Sequence, residues 1–587
     1  MANDQTIPEK VKGATTTFSV KVDGQTIPQT MQVYSVVVVK EINRIPTAKL
    51  TVIDGEPSKT EFAASNAAVF VPGKEIEIFA GQQSNEDPIF KGVIVKHGIV
   101  VRKNGATQLV LECKDKSFRM TLARNSAYYV DQKDSDIANT LLGKYKLKIN
   151  TIEDTKKKFS ETVQFDITDW DFLVSRMDVN GKLVNVSDNN VSIKSPDFSA
   201  TPVLTLQYGA TIHEFDAEID ARNQYKTVKA LSWDQSNQDI IMVDGQDPSS
   251  VKENGNLTAS QLADVTGVQE IILRHGGDVS QEELQSWANA YWQRSKLAKI
   301  RGRVSFDGFA GVKPGDLVEL KGISDRFNGK VFVSAVRHDL SNGGWVTAIQ
   351  FGLSPEWFSE EFITVPAASK NLISSIEGLH SGVVVKLEKD PAGEDRVLVK
   401  LPMVDKGGNG TWARVATLDA GKKRGSFFRP DVGDEVLLGF INNDPRSAVI
   451  LGMMNSSKLP AAMQPKDSNK VKGFFFASEM KILFNDEDPS MTFETKGGNK
   501  LIISEKKNDE GITLQDQHGN KIVMNKDGIN IESSKKMVLK ASSGDIEIEG
   551  MNVKQKAQAE FKAEGTGGVE VSSSAIAKLK GSLVQIN

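Results

Sequence analysis

The stretch Gly519–Gly550 runs GNKIVMNKDGINIESSKKMVLKASSGDIEIEG. It repeats one small pattern, two apolar residues with a single residue between them: Ile522 and Met524, Ile529 and Ile531, Met537 and Leu539, Ile546 and Ile548. Gly, Asn, Asp, Ser and Lys fill most of the gaps. Side chains alternate across an extended strand, so each pair is one face of a very short strand. The beat continues both ways. Leu501 with Ile503, and Ile512 with Leu514, lie upstream. Phe561 with Ala563, Val569 with Val571, Ala577 with Leu579, and Val584 with Ile586 lie downstream. Val553 keeps the rhythm although Gln555, its partner, is polar.

Such a strand cannot stand alone. A buried aliphatic side chain contributes about 1.5–3 kcal/mol. Ordering eight residues costs about 1–2 kcal/mol each for the backbone. The units must stack and share a core with neighbours. One chain could wind as a solenoid with three octads per turn, but such coils have unlike sides with longer loops. Here every side is alike, so three identical chains winding together, each giving one side per layer, is the economical solution. Eight extended residues reach about 26–29 Å, enough for one side and its corner. About ten octads at roughly 4.8 Å per layer give a needle about 50 Å long. The expected inward residues are Ile512, Leu514, Ile522, Met524, Ile529, Ile531, Met537, Leu539, Ile546, Ile548, Val553, Phe561, Val569, Val571 and Leu579.

The remainder is organised differently. From 15 to about 115, alternating runs such as TFSVKVDG, KEIEIFAG and TQLVLECKD predict a β-barrel or sandwich. Between 130 and 180, DSDIANTLLGKY and DWDFLVSRMDVNG have helical spacing after Asp caps. A further helix is expected at SQEELQSWANAYWQRSKLAKI, with Ser280 as its N-cap. VPGKEIEIFAG (Val71–Gly81) is echoed by VKPGDLVELKG (Val312–Gly322). Each is followed by Phe90-Lys91-Gly92 or Phe327-Asn328-Gly329, then a strand and a histidine, His97 or His338. The echo is either a turn that any barrel uses or the mark of two related barrels. Five short strands between 377 and 455 fit a small closed barrel of the OB type.

The expected fold is therefore mainly β. Its parts are a first hub barrel (1–125), a mixed α/β insertion (126–200), and a second hub barrel with a helix (201–376). An OB-fold domain (377–456), a linker (457–490) and a trimeric β-helix needle (491–587) follow. Phe474, Phe475 and Phe476 are expected to pack at the junction.

Composition excludes several classes. The net charge of −4 is no match for a phosphate-tracking nucleic-acid binder. The single cysteine, Cys113, leaves no intramolecular disulfide and no Cys-built zinc site, and its alternating context makes it a packed strand residue. The start, MANDQTIPEKVKGATTTF, lacks a signal peptide's basic and apolar regions. The aliphatic run Tyr34–Val39 is far short of the roughly 18 residues of a membrane helix. Assembly in the cytoplasm is expected, with export only inside something larger. No phosphate loop, His-Glu-x-x-His or Gly-x-Ser-x-Gly is present, and the histidines are scattered. No catalytic residue, cofactor or metal site is expected. Lys422-Lys423-Arg424 is expected in a solvated loop.

The block Trp412-Ala413-Arg414-Val415, Ala420-Gly421, Phe428-Arg429-Pro430, Val432-Gly433-Asp434-Glu435-Val436, Phe440 and Asp444-Pro445, between a double barrel and an octad tail, resembles the VgrG family. It is similar to the hub and spike of contractile-phage baseplates fused into one chain. The resemblance implies a homotrimeric central spike whose hub meets a sixfold inner tube of an Hcp-like protein, among baseplate proteins. It implies a needle aimed at a target membrane, a PAAR-type tip protein docked on Leu583, Val584, Gln585, Ile586 and Asn587, and a possible cargo toxin. Only about 35 residues separate OB barrel and needle, so the lysozyme domain that phage spikes can carry there does not fit. A His-rich early motif is not apparent, and together with the compact region IPTAKLTVIDGEPSK that favours an extracellular phage-tail-like particle. A type VI secretion spike carrying effectors is the alternative, and a trimeric tail-fibre-like adhesin the second.

Overall fold

The computed structural model describes residues 15–103, 106–341, 343–365, 368–404 and 410–586. They form two units, one of residues 1–376 with 442–445, the other of 377–441 with 446–587. Among the described residues no helix is long and apolar enough to cross a membrane.

The first unit is built on a continuous 13-stranded sheet. Two sets of six strands within it share one topology. The first set, in chain order, is Thr16–Val22, Val33–Glu41, Thr47–Ile53, Glu75–Gln82, Asn85–Val100 and Gln108–Lys114. The second is Leu204–Gln207, Glu214–Ile219, Ile300–Asp307, Leu317–Lys321, Gly329–Ser341 and Gly344–Phe351. In each, the neighbours run first, fourth, fifth, sixth, third, second. One pairing differs in direction: first and fourth strands are antiparallel in the first set and parallel in the second. Inward residues of each set converge on their own core, around Val36, Leu50, Ile78 and Leu111 in one and Val304, Leu320, Val333 and Ile349 in the other. A sheet whose strands all reach one core must be strongly curled.

The echoed turn has a physical basis. Gly73 and Gly315 have φ of +100° and +91°, as the third position of a type II turn requires. The N–H of Gly73 donates to Ile94 O and that of Gly315 to Val333 O, each at 2.8 Å. The returning N–H groups of Ile94 and Val333 donate to Lys74 O and Asp316 O, each at 2.9 Å. Gly433, with φ +97°, makes the same exchange with Val384 in the OB barrel. The turn is thus shared by both strand sets and the OB barrel, and the common strand order is what singles out the two sets. The echo stops sooner than the letters do. Ile78 faces Phe90, whereas Leu320 faces Gly329, so the Phe-x-Gly triplets are two positions out of step. His97 and His338 are not equivalent either.

Strand Gly329–Ser341 joins the two sets. Its first part pairs with Leu317–Lys321, and Ala335–Ser341 then pairs with Val33–Glu41 of the first set. Leu340 and Trp345 bury themselves in the first core. Near this seam the buried Lys40 ammonium meets Asp188 at 2.8 Å. Between the sets, helices Asp134–Lys144 and Asp169–Val179 pack on Leu183–Ser187 and Asn190–Lys194 around Trp170 and Leu141. The Asp residues expected as caps are the first helical residues instead. Thr168 caps Asp171 N, and Asp134 pairs in a fork with Arg176 at 2.8 and 3.0 Å. Ser280 does cap the helix Gln281–Leu297. Cys113 is buried in the first core, and burial pushes its thiol up to about 12.

In the second unit, His380–Lys386, Val397–Lys400, Thr411–Val415, Ala448–Met453 and Glu435–Phe440 close into a barrel in that order. Only Thr411–Val415 and Ala448–Met453 run parallel, the arrangement of an OB fold. Lys422 and Lys423 lie at the tip of a small exposed hairpin, Ala420–Gly421 with Arg424–Gly425, where Arg424 meets Asp419 at 3.0 Å.

His338 sits fully enclosed on the seam strand, with Nδ1 3.0 Å from Thr347 Oγ1. Burial, helped by Lys40, lowers its pKa to about 3. The unfolded chain binds this proton near pH 6.5 and the folded chain does not, so stability is full above 6.5 and falls as pH drops towards 3. The slope approaches about 1.4 kcal/mol per pH unit. Denaturant melts of wild type and His338→Gln across pH 7 to 4 check this: the wild-type midpoint falls more steeply.

Candidate assembly interface

The octad stretch first builds a sheet of its own. Seven strands run as an antiparallel meander: Val471–Phe475, Lys481–Asn485, Ser490–Glu494, Lys500–Ser504, Gly511–Gln515, Lys521–Asn525 and Gly528–Glu532. The sheet begins at Val471, well before position 491, so residues read as linker are its first strands. Consecutive strands here double back within one chain rather than advancing as sides of a winding. The reason lies in the gaps. Asp516 Oδ1 accepts from His518 N and Asn520 N, and Asn525 Oδ1 accepts from Asp527 N. These Asx turns reverse the backbone. Past Glu532 the gaps turn Ser- and Lys-rich, and no strand is assigned from Ser533 to Ile586.

Register lines the teeth into two rows across the sheet. One is Phe474, Ile482, Phe493, Leu501, Leu514, Ile522 and Ile531, each opposite the next. The other is Phe484, Met491, Ile503, Ile512, Met524 and Ile529. Residues x and x+2 share a face, so both rows are on one side. From Ile482 onward the first row, with Phe476 and Met537, lines an open groove. Ion pairs mark the strand ends, among them Lys481 with Glu494 at 3.1 Å and Lys506 with Asp488 at 2.9 Å. Hydrogen bonding from Lys481, with Lys500 beside it, holds the Glu494 carboxyl below the usual carboxylate range.

The apolar face is uncovered. Ile512 is 37 % exposed within the meander, Ile529 is 68 % exposed at its end, and Val571 is 83 % exposed beyond it. Every described residue from Met524 to Ile586 is exposed. Met537, Leu539, Ile546, Ile548, Val553, Phe561, Val569 and Leu579 lie on this stretch. Contiguous apolar surface of this extent marks an interaction site. Leu583, Val584, Gln585 and Ile586 are exposed at its end, and Asn587 lies outside the described residues.

Several participants escaped the sequence reading. Ile482 with Phe484 and Met491 with Phe493 keep the two-residue spacing, but Leu483 between the first pair is apolar too and hides it. Of the three consecutive phenylalanines, Phe474 stacks on Phe428 at 5.5 Å while all three stay exposed. Leu418 and Phe427 project from loops of the OB barrel with no periodic signal to announce them. Among the described residues, no cluster of His, Cys, Asp or Glu could hold a metal ion, and His518 lies exposed at a turn.

Comparison with known proteins gives three family matches. Residues 12–342 match the Alg8 N-terminal domain. Residues 380–454 match the type VI secretion system/phage-baseplate injector OB domain. Residues 490–587 match the phage baseplate V C-terminal trimerisation domain. A search of curated proteins finds no match. Among solved structures, the 43 kDa tail protein of prophage MuSo2 from Shewanella oneidensis is 12 % identical with a TM-score of 0.43, covering 58 % of this chain and 98 % of that one. The Francisella PdpA-VgrG complex is 10 % identical with a TM-score of 0.39, covering 89 % of this chain and 88 % of that one. An E. coli component of the type VI secretion system is 12 % identical with a TM-score of 0.37, covering 74 % and 99 %.

Replacing Ile529 or Ile546 by Asp puts a charge into the apolar face, where burial without a partner is costly. Both side chains are exposed in the single chain. The variants should keep a folded OB barrel by circular dichroism and proteolysis while losing self-association in sedimentation. An unchanged association state contradicts the inward assignment. With residues 12–342 matched to its model, the chain belongs to the Alg8 N-terminal domain family, and with the injector OB domain and the trimerisation domain following in order it resembles the VgrG-like spikes of the phage-baseplate and type VI kind.

Proposed function

We propose that three copies of this chain form the central spike of a contractile injection machine. The observation that carries this is the uncovered apolar face running from Phe474 to Ile586, most of it inside the segment matched to a trimerisation domain. Three copies turn these faces inward: the meanders form the sides of a prism, and the octads beyond Glu532 wind into a needle. A closed prism removes its lateral sheet edges. Stiffness is then the mechanism. The needle transmits the thrust of contraction to a target membrane, and the exposed Leu583–Ile586 end docks a tip protein of the PAAR type.

The hub supports the other end of this reading. Two sheets of one topology per chain give six like units per trimer, which fits a sixfold inner tube of Hcp-like subunits and the surrounding baseplate. We favour an extracellular phage-tail-like particle, assembled in the producing cell and acting outside it. The match to an OB domain described for both type VI systems and phage baseplates keeps a type VI spike as the second reading. A cargo toxin would travel with either.

Electron microscopy of particles from cells lacking this chain tests the role: baseplate and sheath should fail to assemble, and normal particles that only fail to bind cells would indicate an adhesin. Deleting 583–587 should abolish capture of the tip protein in a pull-down and leave the oligomer intact. Undiminished capture contradicts the docking surface.

A further inference from the structure

The apolar teeth beyond Glu532 are alike from octad to octad. They bring chains together but do not say how far one chain stands above the next. Shifting a chain by one whole octad lays tooth on tooth again, and so even a pattern specifies register weakly. The face that carries no teeth holds a second pattern, and this one is not uniform.

The first teeth of these octads are Met537, Ile546, Val553, Phe561, Val569 and Ala577. Residues one before, one after and three after a first tooth lie on the opposite face of the strand. The row three after the tooth reads Lys540, Glu549, Lys556, Glu564, Ser572 and Lys580. Its first four members alternate in sign. The row one after the tooth holds Glu547, Lys554, Lys562, Glu570 and Lys578, and the row one before holds Lys536 and Asp545. All of these side chains are exposed in the single chain. Lys562 and Glu564 meet within it, as neighbours on one face of a strand can.

Winding decides which charges become neighbours. In the trimer proposed above each octad gives one side of one layer, so a chain climbs about 4.8 Å per octad. The strand over any octad on the same side is then the next octad of another chain. Residues at equal places in the two octads stand one above the other. Lys540 lies against Glu549, Glu549 against Lys556, and Lys556 against Glu564. Glu547 lies against Lys554, Lys562 against Glu570, Glu570 against Lys578, and Lys536 against Asp545. Lys554 against Lys562 is the one like pair in these rows.

A slip of one octad reverses the balance. Lys540 would then face Lys556, Glu549 would face Glu564, Asp545 would face Glu560, and Lys562 would face Lys578. A slip the other way sets every octad beside its own copy, so that each charge meets its like. Opposite charges directly across a ladder stabilise it and like charges destabilise it. Each exposed pair is weak alone. The threefold axis repeats each of them three times.

We infer that the alternating row Lys540, Glu549, Lys556 and Glu564 fixes the axial register of the needle: octad upon next octad between chains, with slipped pairings rejected by like charge. The apolar teeth supply cohesion, and the charged outer face selects one stagger among those the teeth allow.

This inference rests on the trimer reading, and disulfide trapping in the full chain separates the two. Thr566 and Ser574 occupy equal places in adjacent octads, and neither belongs to the charged rows. The chain carrying Thr566→Cys and Ser574→Cys should run as a covalent trimer on a non-reducing gel after mild oxidation. Thr566→Cys with Ser582→Cys, two octads apart, should cross-link roughly tenfold less or lower, because the slipped ladder sets like charges together. Buried Cys113 does not interfere. Adding Glu549→Lys and Glu564→Lys to the first pair makes the row all positive. Cross-linking should fall severalfold and recover as added salt screens the repulsion. Adding Lys540→Glu and Lys556→Glu as well inverts every sign while keeping the alternation, and cross-linking should return without salt. Undiminished cross-linking of the all-positive chain, or no return in the inverted one, overturns the role of the charges. A trimeric mass by light scattering with no link between 566 and 574 overturns the stagger and leaves the trimer standing. A monomeric mass overturns both.

Discussion

A strand with two apolar residues on its dry face cannot hold itself together in water. Everything about the C-terminal region follows from that constraint. Within Val471–Glu532 the chain meets it halfway by folding back, so that each tooth lies beside another across a ladder. That gives two continuous apolar rows but leaves their face open. Beyond Glu532 no strand of the described residues pairs with another. The beat of apolar residues persists where nothing in the same chain covers it. An exposed apolar pattern of this kind marks an interaction surface.

The hub obeys a related rule at larger scale. Each curled sheet needs a lid over the open end of its core. The first sheet receives one from the long strand Gly329–Ser341, which overshoots its own sheet and inserts Leu340. The second set has the same strand order, and among the described residues its edge strand Glu214–Ile219 is paired on one side only. Lys40, donating to Asp188 and Ser187, and His338, bonded to Thr347, are polar groups buried close to this seam and satisfied within it. Such pairs leave little tolerance for sliding, so the seam holds a defined register.

Much of this was legible in the amino-acid sequence. The octads announced short strands with a shared face, and the OB barrel followed from its turn and strand spacing. Other features were not. The Asx turns at Asp516 and Asn525 were visible as turn residues, yet whether a turn reverses the chain or merely bends it depends on ladder hydrogen bonds formed with the next strand. Leu483, apolar between Ile482 and Phe484, concealed the first tooth. The duplication of the hub was hinted at by the Pro-Gly turns, but Gly433 makes the same turn in the OB barrel. Only strand order separates a repeated device from a repeated domain, and pairing order is a long-range property. The strand Gly329–Ser341 reads as an ordinary alternating run, with nothing local to say that its second half belongs to another sheet.

The mass of the intact full-length chain in dilute solution, measured by light scattering together with limited proteolysis of the C-terminal region, addresses the central claim most directly. Three protomer masses, with the region after Glu532 resistant to cleavage, is the result expected here. A particle of one protomer mass whose C-terminal region still resists protease would mean that a single chain can cover its own apolar rows, and the account would be wrong.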